Sequence, residues 1–431
     1  MTALPSRWLI LADDLTGAAD CAIAFARRGL AASVGWHGST HGTTPGAVPR
    51  QGAAAAPAVL AVDADSRRLD PAAAAARHAA LLDAHHAAGV GLIKKIDSTL
   101  RGQPAAELAA TCTLLRQAGQ PRLAILAPAF PATGRTTEAG SIRLQGAALE
   151  STPLWARDHS YDTAHLPAVL QGVGLSTRHL PLSVIRSGPA RLATALQQAI
   201  AEGLDAVVCD AVEACDLDRL AAASLPMADE VFWVGSGGIA AALAGTLPPA
   251  ATPAAMPLLP PARGGVLVVV GSVAEASRAA AARLVEAGRA TRFGVPPALL
   301  RAGDRHPGWG ALAAGIADSL AQRRDTLVEI DADPAADLSQ GAILAERLAA
   351  LLAPAAPVIA GLFATGGETA CALLTHLGVH GIRLLEEVEP GVPLGITEGA
   401  LAIPVMTKAG AFGHEGTILN SLSRLHALPG A

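Results

Sequence analysis

The residues best suited to chemistry lie in short polar clusters, each following an apolar run. Asp13-Asp14-Leu15-Thr16-Gly17 comes after a stretch that reads as a buried strand and before one that reads as a helix. In open α/β sheets, ligands bind beyond the carboxyl ends of strands. Two adjacent carboxylates there repel each other, and full solvation of both is hard to arrange. The pair suits hydroxyl binding, metal binding or general-base work; Asp13 or Asp14 could equally cap the following helix. Lys94-Lys95-Ile96-Asp97-Ser98-Thr99-Leu100-Arg101-Gly102 has the same placement. Period-two alternation sends Lys94 and Lys95 to opposite faces. Asp97, Ser98 and Thr99 suit a helix cap, while a lysine and Arg101 suit a carboxylate or phosphate. So many polar groups at one strand end exceed what a capped surface helix needs. Between these clusters, Asp63-Ala64-Asp65-Ser66-Arg67 offers Arg67 for bidentate carboxylate binding, although a surface ion pair would look the same. Pro128 to Thr137 reads as a shaped loop carrying a fourth candidate cation, Arg135.

The second half has a different character. Thr365-Gly366-Gly367-Glu368-Thr369 puts glycines and backbone amides at a helix start, where phosphate can be cradled. Lys408-Ala409-Gly410-Ala411-Phe412-Gly413 is a second glycine turn, with a cation, and Gly391 to Gly395 a third. Glycine turns are also common connectors. The chain has no GxxxxGK[ST] pattern and no protein-kinase signature set. Gly235-Ser236-Gly237-Gly238 lacks the spacing and acidic partner of a dinucleotide fingerprint.

These clusters need a scaffold of strands and helices. Strands are expected at Trp8 to Ala12, Val59 to Val62, Val90 to Ile96, Leu123 to Ala127 and Ala206 to Cys209. Helices are expected at Ala18 to Arg28, Pro71 to Ala88 and Pro104 to Gln117. The second half repeats the pattern with strands at Val266 to Val270, Val358 to Phe363 and near Leu401 to Met406. This alternation predicts an α/β fold of two domains, each a mostly parallel sheet flanked by helices. A chain of 431 residues is long enough for two cores. The proline-rich, weakly charged stretch 246–264 reads as a linker, giving domains 1–245 and 265–431. Gly38 to Pro57 reads as a surface loop.

Composition removes several function classes. The hydrophobic fraction is 51% and the mean hydropathy +0.38, but alanine supplies much of this and no uninterrupted apolar run reaches the ~20 residues of a membrane span. The N-terminal apolar run is short and meets acidic residues at once, unlike a signal peptide. Net charge is −5 without a basic cluster, which argues against nucleic acid. The five cysteines are odd in number and show no CxxC spacing, so no disulfide framework or zinc site is expected. His85-His86 reads as part of a solvated helix face.

In order along the chain, ADDLTGAAD, DSR, KKIDSTLRG, PAFPATGRTT, GSGGIA, VVVGS, TGGETA, GVPLG and KAGAFG together resemble the four-carbon acid sugar kinase family. The resemblance runs through nearly the whole chain and departs clearly only in the glycine-rich loop after Trp36. It implies a cytoplasmic, ATP-dependent, Mg²⁺-assisted kinase with its active site in the interdomain cleft. The N-terminal domain would bind the sugar acid through Asp13, Asp14, Arg67, Lys95, Ile96, Asp97, Ser98 and Arg101. The C-terminal domain would bind ATP through Ser272, Gly366, Gly367, Glu368, Thr369, Lys408 and Gly410. The family phosphorylates the terminal 4-hydroxyl of D-threonate, D-erythronate or 3-oxo-tetronates; D-threonate is the expected substrate. Asp14 or Asp97 would accept the hydroxyl proton. The expected partner is this small acid alone, with no nucleic acid and no membrane; self-association stays open. An NAD-dependent hydroxy-acid dehydrogenase would need the missing dinucleotide fingerprint, and an exported binding protein would need a signal sequence.

Overall fold

The computed structural model describes residues 4–36, 57–157, 159–250, 263–271, 274–332, 340–410 and 412–428. The chain forms two compact units. Most of the Gly38 to Pro57 loop, much of the 246–264 stretch and Ser272 lie outside the described residues.

The strands of the first unit are β1 Arg7–Ala12, β2 Ala32–Trp36, β3 Val59–Asp63, β4 Val90–Lys95, β5 Leu123–Ala127, β6 Arg135–Glu138, β7 Ser141–Leu144, β8 Ala147–Ala148, β9 Thr177–Leu180, β10 Ala206–Cys209 and β11 Val231–Gly235. Eight of them lie in the order β2-β3-β1-β4-β11-β5-β10-β9, every neighbouring pair parallel. Helices cover both faces of such a sheet, so its strands read as continuous apolar runs rather than alternating ones. Leu9, Leu11, Leu92, Leu126, Val208 and Phe232 join one core with Leu108 and Leu115 of the helix Pro104–Gln117. Trp8 packs against Phe25 and Trp233, with ring centroids 5.1 and 5.5 Å apart. The remaining three strands, β6 to β8, make a small antiparallel sheet after the Pro128 loop.

The order matters for function because β3 and β4 flank β1. Ala12 pairs with Asp63 and Leu11 with Lys94, so three polar clusters emerge side by side from adjacent strand ends. The first helix, Leu15–Ala26, starts earlier than the apolar pattern suggests, because Asp14 caps it through the Gly17 amide. His86 departs from expectation. It follows the helix Pro71–His85 half-buried, and burial first, then Arg122, pulls its pKa down to about 4.

The second unit contains β12 Gly265–Val270, β13 Thr291–Val295, β14 Thr326–Ile330, β15 Ile359–Thr365, β16 Val379–Glu389, β17 Val392–Gly399 and β18 Pro404–Lys408. Their order is β13-β14-β12-β15-β18-β17-β16. The pairings from β13 to β18 are parallel, while β17 and β16 add an antiparallel hairpin turned at Gly391. Gly395, read with Gly391 as one turn, lies inside β17. Val268, Phe363, Leu394, Met406, Ile418 and Leu422 form this unit's core. One helical segment, Gly341–Val358, is apolar and long enough to cross a membrane by length and composition. It buries Ala345, Leu348 and Leu352 within the unit and carries Glu346 and Arg347.

Candidate active site

Arg67 sits at the centre of the first unit's polar cluster. Its Nε donates to Asp13 Oδ2 at 2.7 Å, and its two terminal nitrogens donate to Asp14 Oδ2 and Oδ1 at 3.0 and 2.8 Å. Asp97 Oδ1 stands 3.9 Å from the same guanidinium. One arginine thereby binds both carboxylates of the Asp13-Asp14 pair. Asp14 also accepts from the Thr16 hydroxyl at 2.6 Å and the Gly17 amide at 3.1 Å, so helix cap and site residue are the same side chain. Asp97 forms a bidentate pair with Arg101, Nε and a terminal nitrogen each at 2.9 Å, and accepts from the Thr99 hydroxyl and amide.

Lys95 approaches from β4. A β-carbon at Gly17 would stand 2.5 Å from Lys95 Nζ, so the missing side chain there is what lets the ammonium reach the first turn of the Leu15–Ala26 helix. Lys94 faces the other way, into the core, as the alternation predicts. The chain takes unusual backbone angles at two points of the cluster, Asp65 (φ 47°) and Leu100 (φ 60°). Non-glycine residues hold such angles only when their surroundings dictate them.

The electrostatics keep these groups charged. Burial alone would raise the Asp14 carboxyl, but Arg67 and Lys95 more than offset it and hold it below the usual range. Asp97 lies well below that range: burial opposes ionisation, and Arg101, Arg67 and Lys95 overcome it. Burial would lower Lys95, yet Asp13 and Asp14 raise it. Asp63, buried at the end of β3, is pushed well above the usual carboxylate value by burial and then by Asp14. Arg67, Lys95 and Arg101 thus face Asp13, Asp14 and Asp97, three charges against three. Ile96 buries its side chain and donates its amide to Gly235 O at 2.8 Å, so only its backbone borders the cluster. Ser98 is half-buried beside Asp97. Arg135 also belongs here: burial lowers its pKa, against the pull of Asp97 and Asp20. Gly237 and Gly238, in the GSGGIA segment, open a helix packed against Ala129 and Phe130.

In the second unit three glycine-bearing turns leave the ends of neighbouring parallel strands. Val270 pairs with Thr365, and Thr365 with Lys408, so Gly271, Gly366-Gly367 and Ala409-Gly410 stand next to one another. Gly366 has φ 90° and precedes the helix Gly367–His376, whose first turn holds Glu368 and Thr369 and has no side-chain cap. Helix starts of this kind commonly bind anions. A β-carbon at Gly271 would lie 2.0 Å from Thr369 Oγ1. The buried Thr365 hydroxyl has no hydrogen-bond partner among the described residues. Gly271 thus lets its turn pack directly on Thr369, and the uncapped helix start and the orphaned hydroxyl fit a nucleotide phosphate.

Lys408 was expected to hold the nucleotide directly. Its ammonium is instead buried and donates to Phe412 O at 2.6 Å, Ala409 O and Ser277 Oγ at 3.1 Å and Gly410 O at 3.3 Å. It shapes the Gly410 turn from inside. Sequence reasoning also assigned no role to Ser66, His78 and Glu107, which form a buried cluster joined to Lys94 through Glu107. The signal was the alternation itself: a lysine turned into the core requires a carboxylate partner.

Residues 8–243 match the family model described as a sugar-binding N-terminal domain, and residues 267–418 that of a nucleotide-binding C-terminal domain. The chain is 44% identical to a D-threonate kinase of Cupriavidus necator, over 95% of this chain and 96% of that one. It is 36% identical to a D-threonate kinase of Bordetella bronchiseptica over 96% of each. It is 30% identical to a 3-oxo-tetronate kinase of C. necator over 94% and 93%. A Haemophilus influenzae protein of family DUF1537 has the same fold, with a TM-score of 0.71 at 20% identity over 97% of this chain and all of that one. With both family models matched in order and relatives of this identity along nearly its whole length, the chain is a sugar-acid kinase and belongs to the four-carbon acid sugar kinase family.

Proposed function

We propose that the chain phosphorylates the 4-hydroxyl of D-threonate, with residues 1–245 holding the acid, 246–264 linking and 265–431 holding ATP. The observation that carries the substrate class is the Arg67 fork, with Nε on Asp13 and both terminal nitrogens on Asp14. A substrate carboxylate matches the geometry those two nitrogens now give Asp14. In this reading Asp13 keeps Nε, the acid takes the terminal nitrogens, and Asp14 is released to orient the 4-hydroxyl and accept its proton. Asp97 is less suited to be the base. Arg101 and Thr99 occupy it, and it serves to fix Arg101. Lys95 supplies a second cation for the acid.

ATP would supply the phosphoryl group, and Mg²⁺ bound with it would offset the negative charge of the transfer. The helix start at Gly366 to Thr369 and the Gly410 turn would cradle the phosphates, with the Gly366 amide held by Lys408 O at 2.9 Å to fix the turn. Ser272 would join them from the neighbouring strand end. An ATP-consuming reaction fits a cytoplasmic enzyme. A coupled ADP-release screen over the threonates, erythronates and 3-oxo-tetronates, with phosphorus NMR of the product, tests this reading. D-threonate turning over fastest to a 4-phosphate is the expected result. Preference for D-erythronate or a 3-oxo-tetronate would move the substrate within the family, and no turnover of any of them would refute the reading.

A further inference from the structure

Behind the Arg67 loop lies a fully enclosed polar network that the chemistry above does not use. Ser66, His78 and Glu107 are 0% exposed and Lys94 1%. Ser66 Oγ donates to Glu107 Oε1 at 2.6 Å, and Lys94 Nζ donates to Glu107 Oε2 at 2.5 Å. His78 Nε2 lies 3.2 Å from Ser66 Oγ and 3.3 Å from Glu107 Oε1. Burial, then Lys94, lowers the His78 pKa, against the pull of Glu107. Glu107 stays ionised, because Lys94 and His78 outweigh burial. The members come from three separate elements: the helix Pro71–His85, β4 and the first turn of the helix Pro104–Gln117.

Ser66 is the point where this network meets the substrate loop. Its amide donates to Asp13 O at 3.3 Å, its carbonyl accepts from the Leu69 amide at 3.0 Å, and it sits between Asp65, at φ 47°, and Arg67. We infer that Ser66, anchored by the Glu107 carboxylate, is a positioning residue that sets the direction of the Arg67 fork, and so is a determinant of sugar-acid binding that never touches the acid. A buried ion pair is commonly no more stabilising than well-packed apolar residues of the same volume, so stability alone does not account for a lysine and a glutamate here. A bidentate contact, by contrast, requires its arginine held within about 0.5 Å and 10–20°. Two constraints on Ser66, its hydroxyl on Glu107 and its amide on Asp13 O, supply that.

The test rests on the sugar-acid reading and is built to fail separately from it. Ser66→Ala leaves the Lys94–Glu107 pair intact. It should raise KM for D-threonate about five- to tenfold and leave KM for ATP within about twofold. Two double variants remove the same buried charges. Lys94→Met with Glu107→Gln keeps an acceptor for the Ser66 hydroxyl and should hold KM for the acid within about threefold of wild type. Lys94→Met with Glu107→Leu loses that acceptor and should match Ser66→Ala, with no further increase when Ser66→Ala is added. A role confined to stability would shift the melting temperature without separating the acid from ATP or the Gln double from the Leu double. If wild type turns over the acid but Ser66→Ala keeps its KM, or both doubles behave alike, the positioning role falls and the kinase reading stands. If wild type turns over no four-carbon acid, the kinase reading itself falls.

Discussion

The two units handle cations in opposite ways. In the first, Arg67, Lys95 and Arg101 face carboxylates, and in the proposed reading the substrate carboxylate replaces Asp14 on the Arg67 fork. In the second, Lys408 is buried against the carbonyls of its own turn and offers nothing outward. In the proposed reading, one site takes its ligand with side chains and the other with backbone amides. The contrast follows from the ligands. A small acid has one carboxylate and several hydroxyls to distinguish, whereas a polyphosphate is an extended anion that amides at a helix start already favour. Side-chain substitutions should therefore change acid recognition, and substitutions at glycine should change nucleotide recognition.

The largest expected effect is on chemistry. Asp14→Asn keeps size and loses the proton acceptor, and should lower kcat about 10²-fold or more. Asp97→Asn should act mainly through Arg101 and raise KM for the acid. A larger kcat loss at Asp97 than at Asp14, measured on folded variants, would reverse the assignment of the base. Next comes the backbone site. Gly366 sits at φ 90°, where a side chain costs about 1–3 kcal/mol. Gly366→Ala should raise KM for ATP about tenfold or more, with KM for the acid almost unchanged. Calorimetry showing wild-type ATP affinity in this variant would remove the phosphate-cradling role.

How much of this was legible beforehand depended on the same contrast. Asp14, Arg67, Lys95 and Asp97 could be read because charged groups at the ends of parallel strands advertise themselves, and the β3-β1-β4 order then brings them together. The Lys94 and Lys95 directions followed from alternation alone. Glu107 was invisible because a glutamate in the first turn of an alanine-rich helix looks like any solvated one; only the partner needed by Lys94 marks it as buried. Lys408 was misjudged for the converse reason. A lysine beside a glycine turn suggests phosphate, but the final strand delivers its side chain inward onto the Ala409, Gly410 and Phe412 carbonyls. The β16-β17 hairpin was missed because the GVPLG segment reads as one turn, although only Gly391 turns the chain.

The smallest expected effect concerns pH. Burial lowers the Lys408 pKa to about 8, opposed by Glu389. Below that pH the ammonium binds its ring of carbonyls with three charged donors; above it the neutral amine has two uncharged donors and binds them more weakly, so the turn should loosen. KM for ATP should rise severalfold between about pH 7 and 9, and Lys408→Met should abolish the rise. The sign for stability runs the other way. The unfolded chain keeps this proton up to 10.5, so between about 8 and 10.5 the unfolded state binds more protons and this group's contribution to stability increases with pH. An ATP KM that climbs while the melting temperature does not fall would isolate the turn from unfolding. A flat ATP KM across the range would remove the role of Lys408.

The most direct test of the carboxylate clamp is a matched kinetic series of D-threonate against the neutral polyol that lacks its carboxylate, on wild type and Arg67→Lys. A charge-assisted hydrogen bond contributes about 1.5–3 kcal/mol, and lysine cannot reproduce the two parallel bonds of the fork. Arg67→Lys should therefore raise KM for the acid about tenfold, leave KM for ATP almost unchanged and narrow the discrimination between acid and polyol. Wild type should turn over the acid and barely act on the polyol. Equal turnover of acid and polyol by the wild type would contradict both the clamp and the assignment of a sugar acid as substrate.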